Sequence, residues 1–84
     1  MKMTFHEKGF ADYTYWQMHD RKVVKKINSL LQSIGRDGAM RGEGKPERLK
    51  HEAAYSRRID EENRLVYDVV GDVIEIFSCK GHYN

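Results

Sequence analysis

The chain is 84 residues long and carries 15 lysines and arginines against 13 aspartates and glutamates, a net charge of +2, with 39% hydrophobic residues and one cysteine. A chain of this size keeps roughly 40% of its unfolded surface exposed when folded, so one domain, residues 1–84, is expected around one small core. Cys79 alone excludes an intrachain disulfide and a zinc ribbon; the polar start through His6, Glu7 and Lys8 lacks the apolar stretch of a signal peptide and no later run is long and apolar, so a cytoplasmic protein without membrane contact is expected.

In chain order, Met3 and Phe5 alternate with Lys2 and Thr4, which predicts a short first strand. Phe10, Tyr13 and Trp16 recur at helical spacing and predict a helix from Glu7 to Met18 with its aromatic side chains in the core. Asp20 suits a helix cap, and Val23, Val24, Ile27, Leu30, Leu31 and Ile34 form an apolar stripe that predicts a second helix closing at Gly35. Its other face, with Arg21, Lys22, Lys25, Lys26 and Asn28, reads as solvated. From Arg36 to Pro46 there is no apolar period, so an irregular, mobile connection is expected. Short strands follow over Glu47 to Lys50 and Tyr55 to Ile59, and a turn at Asp60 to Asn63 leads into a strand from Arg64 to Val70. Gly71 and Asp72 then make a two-residue hairpin into Val73 to Cys79, with Cys79 as a small apolar strand residue.

Pairing Val70 with Val73 sets Val69 against Ile74, Tyr67 against Ile76 and Leu65 against Ser78 on the face that receives the helices. The other face then takes Val66 with Phe77, Asp68 with Glu75, and Arg64 opposite Cys79. Either Arg57 or Arg58 shares the face of Arg64, and the intervening turn leaves the parity open. The expected fold class is α+β, with two N-terminal helices packed on one face of a small, largely antiparallel sheet.

Charge is distributed unevenly. Between positions 41 and 58, Arg41, Lys45, Arg48, Lys50, Arg57 and Arg58 outnumber Glu43, Glu47 and Glu52, a local bias suited to RNA phosphates. Gly42 and Gly44 free the backbone there, and Pro46 fixes φ immediately before Glu47. Carboxylate, guanidinium and imidazole on the helix-free face would together suit RNA cleavage without a metal. In that reaction a base takes the 2′-hydroxyl proton, a cation stabilises the charge growing on the phosphate, and an acid protonates the departing 5′-oxygen. Glu47, Arg64 and His82 are the candidates for these three roles. Each has a plainer role open to it: an edge-strand charge for Glu47, pairing with Glu61 or Asp68 for Arg64, and a tail position for His82. The four histidines, His6, His19, His51 and His82, lack metal-ligand spacing, so neither a metal nor a cofactor is expected.

The segments Asp12-Tyr13, Tyr15-Trp16, Lys25-Lys26-Ile27-Asn28, Gly44-Lys45-Pro46-Glu47, Leu49-Lys50-His51, Ser56-Arg57-Arg58-Ile59, Glu62, Arg64-Leu65-Val66-Tyr67 and His82-Tyr83 occur in an order that resembles the Txe/YoeB toxins of the RelE superfamily. The resemblance spans nearly the whole chain. It implies a RelE-like fold and a ribosome-dependent messenger-RNA endonuclease that acts in the ribosomal A site, inhibits translation, is restrained by a cognate antitoxin protein and often forms a homodimer. It also implies a general base at Glu47, a phosphate-stabilising arginine at Arg64, a general acid at His82 and a catalytic aromatic at Tyr83, with Lys50, His51, Arg57 and Arg58 as RNA-contacting cations. The chain departs from the family pattern in its short segment Glu52-Ala53-Ala54-Tyr55, in Arg48 where proline is common, and in Asn84 beyond the usual terminal tyrosine. Two other function classes remain open to these residues: a non-catalytic RNA- or ribosome-binding module, and a structural partner protein that docks through its open sheet face.

Overall fold

The computed structural model describes residues 1–82. Strand β1 (Lys2–Phe5) leads into helices α1 (Glu7–His19) and α2 (Arg21–Asp37), followed by strands β2 (Glu47–Arg48), β3 (Tyr55–Arg58), β4 (Arg64–Val70) and β5 (Val73–Ser78). The described residues form a five-stranded sheet in the order β1-β5-β4-β3-β2. All neighbours are antiparallel except β1 and β5, since the chain crosses through both helices before returning beside its first strand. The expected α+β class with helices on one sheet face is observed.

Helix α2 supplies five of the eleven buried core residues because its stripe keeps one register over about three turns. Val23, Ile27, Leu30, Leu31 and Ile34 pack with Leu65, Tyr67, Ile74 and Ile76 of the central strands. Asp20 caps it, accepting from the N–H groups of Lys22 and Val23. The helix does not close at Gly35. It runs two residues further, and Gly38, at φ 96°, takes the terminal position that needs left-handed freedom. Among the described residues no helix is long and apolar enough to cross a membrane.

Helix α1 keeps two of the three expected aromatics, Tyr13 and Trp16, against the core, but not Phe10. Gly9 and Asp12 are its buried residues, with Tyr13 and Trp16 half-buried, whereas Phe10 and Tyr15 are exposed. The reason is close approach: a Cβ at Gly9 would lie 2.5 Å from the Ile76 carbonyl oxygen, so α1 meets β5 through the turn containing Gly9, and Phe10 falls one position off that contact.

The hairpin register holds as expected from Val70 opposite Val73 to Tyr67 opposite Ile76. It then shifts. Val66 pairs with Ser78, leaving Phe77 as the extra residue of a bulge. Ser78 therefore shares the face of Val66, Cys79 turns into the core, and the backbone N–H of Arg64 bonds the Gly81 carbonyl. The pairings expected from Leu65, Val66 and Arg64 to Ser78, Phe77 and Cys79 are displaced by this bulge. Burial, followed by the nearby Asp12 charge, pushes the Cys79 thiol up to about 12. Cys79 is expected to resist alkylation in the native protein at pH 8 and to react on denaturation; native labelling at the denatured rate would contradict this burial.

The connection from Gly38 to Pro46 is irregular, as expected, but tied down. The cause is Arg57, whose side chain is fully buried. Its Nε donates to the Tyr67 hydroxyl at 2.9 Å, and its Nη atoms donate to Ser33 Oγ (2.9 Å) and to the carbonyls of Gly38 (2.7 Å), Arg41 (2.6 Å) and Glu43 (2.9 Å), with Ala39 at 3.4 Å. One guanidinium thus gathers the turn that the glycines leave loose. The same loop is fastened to α2 by Glu43, whose carboxylate accepts from Lys26 Nζ (2.7 Å) and Ser29 Oγ (2.5 Å). The bond from Lys26, then that from Ser29, holds Glu43 below its ordinary value of 4.5. A lowered carboxylate stabilises the fold above its unfolded-state pKa and loses that contribution as pH falls through the folded-state value. The thermal midpoint is expected to fall more steeply below about pH 4.5 in wild type than in Glu43→Gln; parallel curves would rule out this linkage.

Candidate active site

Residues paired across an antiparallel ladder share a face. Glu47 pairs with Ser56, Ser56 with Val66, and Arg58 with Arg64, so Glu47, Arg58 and Arg64 project from the face opposite the helices. With Lys45, Lys50 and His82 they line a groove of about 210 Å³. Arg48 also lines it, so five cations, Lys45, Arg48, Lys50, Arg58 and Arg64, surround one carboxylate, Glu47, which has no hydrogen-bond or ion-pair partner among the described residues. Such a field favours a polyanion carrying phosphates.

Backbone geometry delivers Glu47 to this groove. Gly44 has φ 90°, and Lys45 follows at φ 51°, a left-handed conformation that costs a residue with a side chain about 1–2 kcal/mol. The Gly44 carbonyl accepts from the Arg58 N–H at 2.6 Å, laying the loop along β3. A Cβ on Gly44 would come within 2.6 Å of Leu30 Cδ2, so a side chain there requires Leu30 or the loop to shift. Pro46 then fixes the entry into β2.

Arg64 is 9% exposed and held from both sides. Its Nη1 donates to the carbonyls of Asp60 (2.6 Å) and Asn63 (3.1 Å), and its Nη2 donates to His82 Nε2 at 3.0 Å. A guanidinium has no acceptor, so His82 Nε2 is the acceptor and the proton of the neutral ring sits on Nδ1. The turn beneath is closely hydrogen-bonded: burial pushes the Asp60 carboxyl up, but bonds from the Asn63 amide and from the N–H groups of Glu62 and Asn63 outweigh it and hold Asp60 below the ordinary carboxylate range.

The remaining expected site residues divide. Lys50 and Arg58 line the groove, while His51 is exposed outside its lining. Arg57 leaves the RNA-contacting set: it pairs with Leu65 on the helix side of the sheet, and its donors are consumed by the 38–43 loop, Ser33 and Tyr67. The open parity between the two arginines is resolved in favour of Arg58. A signal for this lay in the alternation, because Tyr55 and Ile59, two residues to either side of Arg57, are the apolar members of that segment. Tyr83 lies outside the described residues. Asn63, which sequence reasoning treated only as a turn residue, bonds both the Arg64 side chain and the backbone of Gly81.

Residues 5–83 match the family described as the YoeB-like toxin of bacterial type II toxin-antitoxin system. The chain is 47% identical over 85 residues to the toxin YoeB of Escherichia coli K12, covering 99% of this chain and all of that protein. It is similar to the YoeB dimer of Staphylococcus aureus, with 53% identity, a TM-score of 0.94 and coverage of 99% of this chain and 98% of that one. It is also similar to the YoeB of the Staphylococcus aureus YoeB-YefM complex, at 53% identity and TM-score 0.92 over 99% of this chain and 98% of that one. With full-length coverage at these identities, the chain belongs to the YoeB-like toxins of bacterial type II toxin-antitoxin systems.

Proposed function

We propose that the groove cleaves messenger RNA in the ribosomal A site by metal-independent acid–base chemistry. The observation that carries this reading is the convergence of Glu47, Arg64 and His82 on one cationic groove, although they come from three different parts of the chain. Glu47 takes the proton of a ribose 2′-hydroxyl, whose oxygen attacks the adjacent phosphorus. The bond from phosphorus to the 5′-oxygen breaks, His82 Nε2 supplies the proton to that oxygen, and the products are a 2′,3′-cyclic phosphate and a 5′-hydroxyl. Arg64 stabilises the charge on the non-bridging oxygens, and Arg58, Lys45 and Lys50 hold flanking phosphates. Tyr83, adjacent to His82 in the chain, completes the proposed set.

The resting contact between Arg64 and His82 supports an order of events. While Nη2 donates to Nε2, that nitrogen carries no proton. A phosphate that engages Nη2 withdraws the donor from the ring, and Nε2 is then free to carry the proton it must deliver. Substrate arrival and arming of the acid become one step.

The reading includes two protein partners: a cognate antitoxin, by analogy with the Staphylococcus aureus YoeB-YefM complex, and a second copy of this chain, by analogy with the Staphylococcus aureus YoeB dimer. The protein would act where ribosomes translate, in the cytoplasm. Mapping of 5′ ends on messenger RNA translated in its presence tests the reading. New ends are expected with wild type and are reduced by about 10²-fold or more with Glu47→Gln and with His82→Gln. Inhibition of translation with intact message would instead be the behaviour of a non-catalytic ribosome-binding module and would refute cleavage.

A further inference from the structure

His82 is attached to the fold by a short tail, and the bonds of that tail can be followed residue by residue. The Cys79 N–H donates to Asp12 Oδ2 at 3.0 Å, and its carbonyl accepts from Trp16 Nε1 at 2.8 Å, so α1 fixes residue 79 at both peptide groups. Gly81 is fixed in the same double manner from the other side. Its N–H donates to Asn63 Oδ1 at 2.9 Å, and its carbonyl accepts from the Arg64 N–H at 2.9 Å. Gly81 has φ 104°, so the tail turns sharply there, and it is the last anchored backbone before His82.

We propose that Asn63 is a positioning residue for the general acid, a role that rests on the cleavage reaction proposed above. Its amide has one orientation available: Nδ2 donates to both oxygens of Asp60, each at 3.1 Å, and Oδ1 is left to accept from Gly81. The bonds to Asp60 lie within the turn. The bond to Gly81, 18 residues away, reaches out of the turn to the tail. The Asn63 carbonyl meanwhile accepts from Arg64 Nη1 at 3.1 Å. One residue therefore ties down both the guanidinium and the chain that carries its imidazole partner, which fixes how His82 Nε2 and Arg64 meet. Misplacement of an acid by about 1 Å is enough to cost on the order of 10²-fold in rate.

Asn63→Ala tests this by three readouts. At saturating ribosomes and at a temperature where the variant is folded, kcat is expected to fall about 10-fold or more with KM unchanged. Exchange of the Gly81 amide is expected to accelerate at least about 10-fold while β4 amides keep their protection. In a His82→Gln background the same substitution should add less than about a twofold loss, because its effect runs through the histidine. A paired exchange, Asp60→Asn with Asn63→Asp, keeps an amide–carboxylate pair and an oxygen facing Gly81, and should restore most of the kcat. Wild-type kcat in Asn63→Ala, unchanged Gly81 exchange, or an equal loss without His82 would each overturn the proposal. Should wild type itself make no cuts, the underlying reaction fails, and the Gly81 exchange then reports separately whether the clamp exists.

Discussion

Replacing Arg57 by leucine is expected to lower the thermal midpoint by about 15 °C or more, a loss of roughly 3–5 kcal/mol. The side chain is fully buried, and its charge is met by carbonyl and hydroxyl oxygens from α2, the 38–43 loop and β4. Leucine removes every donor at once. The carbonyls of Gly38, Arg41 and Glu43 and the Ser33 hydroxyl lose their common partner, and a desolvated acceptor without a partner costs about 1–3 kcal/mol. Against a total stability of about 5–15 kcal/mol, such a loss is a large fraction of what holds the domain together. Arg57→Lys keeps the charge but not the planar fork, and should recover only part of the midpoint. Thermal unfolding followed by circular dichroism decides the matter; a shift below about 3 °C for the leucine variant would show that the loop holds without the guanidinium.

Substitution of Arg64 by alanine is expected to lower cleavage at saturating ribosomes by about 10²–10³-fold, with little change in apparent ribosome affinity. The guanidinium is oriented before substrate arrives, because the Asp60 and Asn63 carbonyls hold one nitrogen and leave the other at His82. A preoriented charge needs no reorganisation as negative charge develops on phosphate. Lysine in its place retains a point charge without the second nitrogen that addresses His82, so Arg64→Lys should recover less than about a tenth of the activity. Equal losses in affinity and rate would assign Arg64 to phosphate binding alone.

Several elements were legible in the sequence because their causes are local. Asp20, the apolar stripe of α2 and the Gly71-Asp72 turn each write their structure within a few residues, and all three appear where expected. The helix end at Asp37 was less legible, since Gly35 offers the same terminal signal as Gly38 and only the loop gathered by Arg57 distinguishes them. The bulge at Phe77 was hidden for a different reason. Alternation predicts faces until a residue is inserted, and the insertion is set by tail contacts to Asp12, Trp16 and Asn63 that lie far away in sequence.

Within the site, the sheet register brings Glu47 and Arg64 to one groove, and the tail beyond β5 brings His82 to it. Arg57 and Arg58 look alike as letters, yet one is a buried tie and the other lines the groove. Strand parity separates them, and parity across the Asp60 to Asn63 turn is a property of the folded chain. Asn63 carried only a turn signal, because its partner Gly81 is brought to it by β5.

Cleavage on a defined ribosomal complex tests the central claim most directly. With purified ribosomes holding a known codon in the A site, wild-type protein is predicted to cut within that codon and leave a 2′,3′-cyclic phosphate on the upstream fragment, while Glu47→Gln leaves the message whole. Intact message under wild-type protein, or a cut made equally well by Glu47→Gln, would contradict the account.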